Sequence, residues 1–174
     1  MRIAVMGAGG VGGNLGARLA AAGEDVALVA RGAHLAAIRR DGLRVTSRFT
    51  GDLHIRPRIA TDDPAAVGPV DVVLLAVKLY DLEEATALCR PMLGPDTAVI
   101  SLLNGVDAAE RMAPIVGRAQ VVPGVAYTTA NIDAPGLIRH VSGPHLIGFG
   151  EIAGGRSARL DAFDAVARRA GIET

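Results

Sequence analysis

The 174-residue sequence has little of what marks several protein classes. Its one cysteine, Cys89, cannot form an internal disulfide, so a reducing cytoplasm is the expected compartment. Basic and acidic residues number 18 each, and the resulting zero net charge gives no general attraction to nucleic acid or to an anionic membrane. The longest apolar run, from Val72 to Val77, is far shorter than the ~18 residues that a membrane span needs. We therefore expect a cytoplasmic protein without nucleic-acid or membrane partners.

Aromatic residues are also scarce, at 3%, whereas half of the residues are apolar. The core must be built from Ala, Val, Leu and Ile, as is typical of buried parallel strands covered by helices. Short apolar runs alternate with Ala-rich segments of helical spacing, which predicts a doubly wound α/β fold with a mostly parallel sheet. The predicted parallel strands are Arg2–Met6, Val26–Ala30, Val70–Val77, Thr97–Leu103 and Gln120–Ala126. The predicted helices are Gly10–Ala22, Ala33–Arg40, Leu82–Leu93, Ala108–Val116 and Ser157–Ala170.

Two antiparallel hairpins are predicted beside these units. One joins Leu43–Phe49 to Leu53–Ile59, and the other, near the C-terminus, joins Gly136–Val141 to His145–Phe149. The last three residues resemble the beginning of a further strand. We therefore expect residues 1–174 to be the N-terminal domain of a longer protein.

A glycine-rich motif follows the first predicted strand and opens the first helix. Gly7-Ala8-Gly9-Gly10-Val11-Gly12 matches G-x-G-x-x-G in the context that a dinucleotide-binding loop requires. Glycine allows a tight turn, a close approach of the backbone to a pyrophosphate, and close packing of helix on strand, and the helix N-terminus then binds the anion. The alternative is a glycine turn without a ligand. We expect all six residues of the motif to bind a cofactor.

The end of the second predicted strand discriminates among nucleotides. An NAD site has an acidic residue there that accepts bonds from the ribose hydroxyls, but this sequence has Arg31, whose guanidinium suits a 2′-phosphate. His34 is a candidate to assist it. The missing acid also argues against an S-adenosylmethionine site. Arg31 therefore predicts NADP, the alternative being a solvated arginine.

Polar residues follow two further strands, where a doubly wound sheet binds its ligand. Lys78 is the only lysine, beside seventeen arginines, and it follows Val77. Asn104 follows the next strand and can donate and accept hydrogen bonds at once. A solvated lysine and an Asn-Gly turn are the alternatives. Thr128, Thr129 and Ala130 follow a later strand and are small enough to let a nicotinamide lie flat.

Other kinds of site find no support in the sequence. The four histidines lack metal-ligand spacing, so no metal is expected. There is no G-x-S-x-G nucleophile motif and no Walker A lysine. Asp62 and Asp63 precede a proline and are interpreted as a helix cap.

Together these residues resemble the N-terminal domain of the ketopantoate reductase (2-dehydropantoate 2-reductase) family. The resemblance rests on the opening glycine motif, Arg31-Gly32, Val77-Lys78 with Tyr80-Asp81, and Asn104-Gly105, and it covers essentially the whole chain. It implies a Rossmann-type fold and an NADPH-dependent reduction of a 2-oxo acid, ketopantoate in the known case, on the route to pantothenate.

The resemblance also implies roles for individual residues. The glycine motif would hold the pyrophosphate and Arg31 the 2′-phosphate, while Lys78 and Ala130 would contact the cofactor. Asn104 would contact both the nicotinamide ribose and the substrate. The family's catalytic lysine and a supporting glutamate belong to a helical C-terminal domain beyond Thr174, so no catalytic residue is expected in this chain. The surface facing that domain would be uncovered, which predicts weak self-association, for example as a homodimer. The alternative function is a stand-alone NADP sensor without catalysis.

Overall fold

The computed structural model describes residues 1–105 and 107–174. Seven strands form the main sheet, in the order β11-β8-β7-β6-β1-β2-β5. All neighbours in it are parallel except β8 and β11, which are antiparallel. The strands of this sheet are β1 (Arg2–Met6), β2 (Asp25–Val29), β5 (Ile59–Thr61), β6 (Val70–Leu75), β7 (Leu93–Ser101), β8 (Val121–Ala126) and β11 (Ile147–Phe149).

The centre of this sheet follows from its apolar sequence. In β1 and β6 all residues but the exposed Arg2 and Asp71 are buried, because helices cover both faces of the sheet. The chain passes from β1 to β2 on one side and returns to place β6 on the other. The direction of winding therefore reverses between β1 and β6, which is where such folds bind ligands.

Within residues 1–105 and 107–174, five α-helices and three short 3-10 turns connect the strands. Ser157 caps α5 by accepting a hydrogen bond from the Leu160 N–H at 3.4 Å. Two clusters of buried apolar side chains form the core, one on each face of the main sheet. The helices are α1 (Gly10–Ala21), α2 (Gly32–Asp41), α3 (Leu82–Leu88), α4 (Ala108–Val116) and α5 (Ala158–Arg169).

A second sheet of four strands packs on the other side of α1, in the order β4-β3-β10-β9. Helix α1 lies between the two sheets, and glycine makes this close packing possible. An ideal Cβ built on Gly16 would lie 2.9 Å from Leu28 Cδ2 of the main sheet, and one on Gly13 would overlap Ile138 of the second. The second sheet consists of β3 (Leu43–Thr46), β4 (Leu53–Ile55), β9 (Thr129–Ala134) and β10 (Leu137–Ser142).

The doubly wound, Rossmann-type α/β fold predicted from the sequence is confirmed, and so is an antiparallel hairpin near the C-terminus. The strands assigned to that hairpin were wrong. Residues Leu137–Ser142 pair with Thr129–Ala134, and Ile147–Phe149 pair with β8 of the main sheet. The turn at Ser142-Gly143-Pro144 therefore carries the chain from one sheet to the other.

Two predicted elements are also shorter than expected. The segment Leu53–Ile59 divides into β4 and the beginning of β5, which belong to different sheets. The helix predicted over Leu82–Leu93 ends at Leu88, and a 3-10 turn with Pro91 leads into β7. Within residues 1–105 and 107–174, no helix has both the length and the apolar character that a membrane crossing needs.

Candidate functional site

The glycine motif forms the turn from β1 into α1 at the winding reversal. Gly7 has φ +94°, and an ideal Cβ on it would lie 2.8 Å from Val77 Cγ1, so the turn needs glycine for both its conformation and its packing. The N–H groups of Gly7 and Ala8 donate to the Val29 carbonyl, at 3.2 and 2.9 Å. These bonds fix the motif to the end of β2, and both amides are therefore used in hydrogen bonds within the protein.

The amides at the start of α1 are the ones left for a ligand. The Gly13 N–H donates to the Gly9 carbonyl at 2.8 Å as the first bond of the helix. The N–H groups of Gly10, Val11 and Gly12 precede it and have no partner within the helix. No side chain caps this end and no acidic residue lies in its first turn. The site is therefore electropositive and suits an anion.

The space around the motif differs from glycine to glycine. A Cβ built on Gly10 would overlap the Ala130 carbonyl oxygen, and one on Gly12 would overlap the Gly7 carbonyl oxygen. A Cβ on Gly9 would meet no heavy atom within 4 Å. Gly10 and Gly12 are therefore required by packing, whereas the open space beside Gly9 fits an approaching pyrophosphate.

A cleft of about 190 Å³ extends from this motif along the end of β2. Arg31 lines it, with a side chain that is 73% exposed. Apolar side chains from Leu88 and Ile132 also line it and are partly exposed, so they suit an aromatic base. The remaining lining residues are Met6, Gly7, Ala8, Gly9, Val29, Ala30, His34, Asp62, Val77, Asp81, Glu84 and Ala85.

His34 lines the cleft but is engaged by the backbone. Its Nδ1 accepts from the Gly136 N–H at 3.1 Å, which leaves Nε2 to donate to the Ala8 carbonyl at 3.0 Å. Burial lowers the pKa of its imidazole and favours this neutral form. Both ring nitrogens are therefore used, and neither is free to assist Arg31 in phosphate binding. His34 instead ties the glycine motif to the turn between β9 and β10.

Three carboxylates line the same cleft and were not assigned to it from the sequence. Asp62 pairs with Arg39 at 3.1 Å, whereas its neighbour Asp63 caps the following 3-10 turn through the Ala65 N–H at 2.9 Å. The cap interpretation is thus right for one of the two aspartates. Asp81 and Glu84 come from the beginning of α3. Of these three carboxylates, only Asp81 was among the residues on which the family resemblance rests.

Lys78 and Asn104 lie in exposed loops after β6 and β7, outside the cleft lining given above. The two loops are neighbours, because a Cβ built on Gly105 would lie 3.9 Å from both Leu79 Cδ atoms. Both side chains lie beyond the carboxyl ends of central parallel strands, on the edge that carries the glycine motif. They can therefore contact the part of an extended ligand that reaches past the cleft.

Ala130 is buried in β9, and its carbonyl packs against Gly10 at the start of α1. The second sheet therefore borders the phosphate side of the site. The sequence interpretation placed small residues here but did not predict that they form a strand.

A separate buried polar network holds α1 against the loops of the second sheet. Asn14 Nδ2 lies 3.1 Å from His145 Nδ1, and Ser47 Oγ lies 2.9 Å from His140 Nδ1. The two imidazole rings are 4.2 Å apart. Burial, then Arg18 and His140, lower the pKa of His145 to about 4. No part of this cluster lines the cleft.

Other chemistries have no residues arranged for them in the part of the chain that the structure describes. No three His, Cys, Asp or Glu side chains are placed to hold a metal ion. Cys89 is fully buried, and burial raises the pKa of its thiol to about 12, so it is not a nucleophile. The features that remain, an electropositive helix N-terminus and a cleft lined by Arg31, suit an anionic ligand.

Comparison with known proteins agrees with this geometry. Residues 3–154 match the model of the family described as ketopantoate reductase PanE/ApbA. A 2-dehydropantoate 2-reductase from Mesorhizobium japonicum is 36% identical over 92% of this chain and 55% of its own length. The crystal structure of 2-dehydropantoate 2-reductase from Porphyromonas gingivalis W83 matches with a TM-score of 0.92 and 41% identity, over 99% of this chain and 62% of that one.

A second crystal structure, of 2-dehydropantoate 2-reductase from Geobacter metallireducens GS-15, matches with a TM-score of 0.88 and 32% identity. It is covered over 56% of its length, against 99% of this chain. The chain therefore spans about half the length of the curated relatives that it matches.

Proposed function

This chain belongs to the ketopantoate reductase family, and from that premise we propose that it is the NADPH-binding domain of a 2-oxo-acid reductase. The substrate that we propose is 2-dehydropantoate, because the names of its relatives contain it. The observation that carries the cofactor proposal is a single cleft lined by both the glycine motif and Arg31.

The residues of the cleft fit the two ends of the ADP-ribose part of NADPH. The open space beside Gly9 and the free amides of Gly10, Val11 and Gly12 would hold the pyrophosphate. Arg31, at the end of β2, would hold the 2′-phosphate through charge-assisted hydrogen bonds. Gly7 and Ala8 would support the loop through their bonds to β2.

The remaining proposed site residues would contact other parts of the cofactor. When bound, NADPH supplies the hydride. Ala130 would contact the cofactor beside the glycine motif, Lys78 would line the cofactor site, and Asn104 would donate a hydrogen bond to the nicotinamide ribose and face the substrate. Asn104 cannot supply a proton to the forming alkoxide, so we propose that the acid, a lysine supported by a glutamate, belongs to a helical domain outside residues 1–174.

The further assignments belong to the same proposal. The reaction would produce pantoate for pantothenate synthesis in the cytoplasm, and residues 1–174 on their own would self-associate weakly, for example as a homodimer, through the surface that faces the helical domain. A sensor that binds NADP without catalysis is the alternative. It would be favoured if the full-length protein bound NADPH but did not oxidise it in the presence of any of the 2-oxo acids tested.

The cofactor proposal is tested by titrating the chain with NADPH and NADH. One charge-assisted phosphate contact contributes ~1.5–3 kcal/mol, so NADPH should bind about tenfold or more tightly than NADH. Arg31→Ala should weaken NADPH binding and spare NADH. Arg40→Ala is the matched control, because Arg40 lies in the last turn of α2, the helix that begins after Arg31, and pairs with its neighbour Asp41 at 2.7 Å. Equal affinity of the unaltered chain for both dinucleotides would refute the assignment of Arg31.

A further inference from the structure

Arg31 faces a carboxylate in the same cleft that would receive the 2′-phosphate. Its Nη2 lies 3.9 Å from Asp81 Oδ2. The side chain of Asp81 is 31% exposed, against 73% for Arg31, so the acid is the more enclosed partner. The cleft thus presents a cation and an anion side by side where a phosphate-selective site would need the cation alone.

The local structure keeps Asp81 beside Arg31. Its backbone N–H donates to the Lys78 carbonyl at 2.9 Å, which closes the 3-10 turn before α3. It occupies the capping position of α3, yet its side chain makes no capping bond. Its carboxylate is therefore not engaged by its own helix.

Two neighbouring acids are paired elsewhere, and Glu84, which also lines the cleft, is not within ion-pair distance of Arg31 among the described residues. Asp62 lines the cleft but pairs with Arg39 at 3.1 Å, and Glu83, in the first turn of α3, pairs with Arg111 at 2.7 Å. In the part of the chain that the structure describes, Asp81 is the carboxylate within ion-pair distance of Arg31.

We propose that Asp81 sets how strongly the site distinguishes NADPH from NADH, by competing with the 2′-phosphate for Arg31. This inference rests on the cofactor site proposed above. A 2′-phosphate must draw Arg31 away from Asp81 or bind beside its negative charge, and either process weakens NADPH binding. NADH leaves the pair intact, and the carboxylate of Asp81 can accept bonds from its ribose hydroxyls. Arg31 therefore favours NADPH, and Asp81 limits that preference.

Asp81→Asn removes the charge and keeps the size and an accepting oxygen. Exposed ion pairs contribute up to about 1 kcal/mol, so NADPH should bind up to about fivefold more tightly to this variant. NADH binding should stay equal or weaken, because an amide oxygen is a poorer acceptor than a carboxylate. The ratio of the two dissociation constants should therefore move toward NADPH, which a merely structural change would not cause.

The experiment measures that ratio for residues 1–174, for Asp81→Asn, and for Asp81→Asn in an Arg31→Ala background. Glu83→Gln is the charge control, since it removes one negative charge from the same turn outside the cleft. We expect Glu83→Gln to leave the ratio unchanged. We also expect Asp81→Asn to lose most of its effect once Arg31 is absent, because no pair then remains to be broken.

Any one of the following results would contradict the proposal. An unchanged ratio in Asp81→Asn would refute it while leaving the cofactor site standing. Equal shifts in Asp81→Asn and Glu83→Gln, or an Asp81→Asn effect that persists without Arg31, would show a general field instead of competition within the pair. If the unaltered chain binds neither dinucleotide, the proposed cofactor function fails and this inference fails with it.

Discussion

Gly9→Ala should separate ligand binding from folding in the glycine motif. Gly9 has φ −78° and ψ −156°, which alanine adopts readily, and its Cβ would enter open space. The substitution should therefore leave stability equal or raise it by ~0.4–1 kcal/mol, since alanine restricts the unfolded chain. The new methyl group would occupy the space that we assign to the pyrophosphate. If this removes one hydrogen bond between a backbone N–H and the charged pyrophosphate, worth ~1.5–3 kcal/mol, NADPH should bind about tenfold or more weakly.

Gly12→Ala is the matched comparison, because the same change should there act on folding. Its Cβ would overlap the Gly7 carbonyl oxygen and lie 2.9 Å from both Val5 Cγ1 and Ala76 Cβ. Such overpacking costs ~1–3 kcal/mol, a fall of several degrees in Tm for a chain of this length. Thermal unfolding and NADPH fluorescence titration measure the two effects. A folded Gly9→Ala chain that binds NADPH with unaltered affinity would refute the placement of the pyrophosphate.

Three further predictions concern the strand ends, pH and turnover. Lys78→Ala and Asn104→Ala should shift Tm by no more than about 2 °C, because both side chains are exposed. Both variants should nevertheless weaken NADPH binding. A large fall in Tm would show that the two side chains stabilise the fold instead of binding the cofactor. Between pH 6.5 and about 4 the unfolded chain takes up a proton at His145 that the folded chain does not, so the contribution of His145 to the free energy of unfolding, complete above pH 6.5, falls by up to about 3 kcal/mol as the pH decreases. In urea unfolding, His145→Gln should lose less stability on acidification than the unaltered chain, whereas the exposed control His54→Gln should lose as much. Equal losses in the two variants would refute the assignment. Residues 1–174 alone should bind NADPH without oxidising it in the presence of ketopantoate or related 2-oxo acids, measured by NADPH absorbance, and clear turnover would show that the proton donor lies within them.

The sequence predicted the main sheet well because its signal there is local. Val70–Leu75 is apolar on both faces, as an interior parallel strand must be, and the glycine motif fixes the turn after β1 through backbone geometry that other residues cannot adopt. The second sheet was largely missed. Thr129–Ala134 has one buried residue among six and no alternating pattern, so only its pairing with β10 makes it a strand. That pairing is decided by tertiary packing against α1.

The site was predicted in the same uneven way. Arg31 stands at a fixed distance from the glycine motif in chain order, so its position could be inferred. The role of His34 could not, because its two partners, Ala8 and Gly136, lie 26 residues before and 102 residues after it. Asp81 carries no periodic or spacing signal that would place it opposite Arg31. Contacts between distant segments have no trace in a single sequence.

The hydrogen bond that the Gly136 N–H donates to His34 has a consequence for the chain during its synthesis. The cleft is lined from Met6 to Ile132, and its loop is held from Gly136, so no shorter N-terminal stretch contains a complete site. At a synthesis rate of ~5–20 residues per second, the nascent chain spends roughly 7–27 s without one. Cofactor binding stabilises only chains that can bind it, so NADPH cannot protect the emerging chain from proteases or aggregation during that interval. The part of the fold that is made first must therefore persist without the cofactor until β9 and β10 of the second sheet have been synthesised.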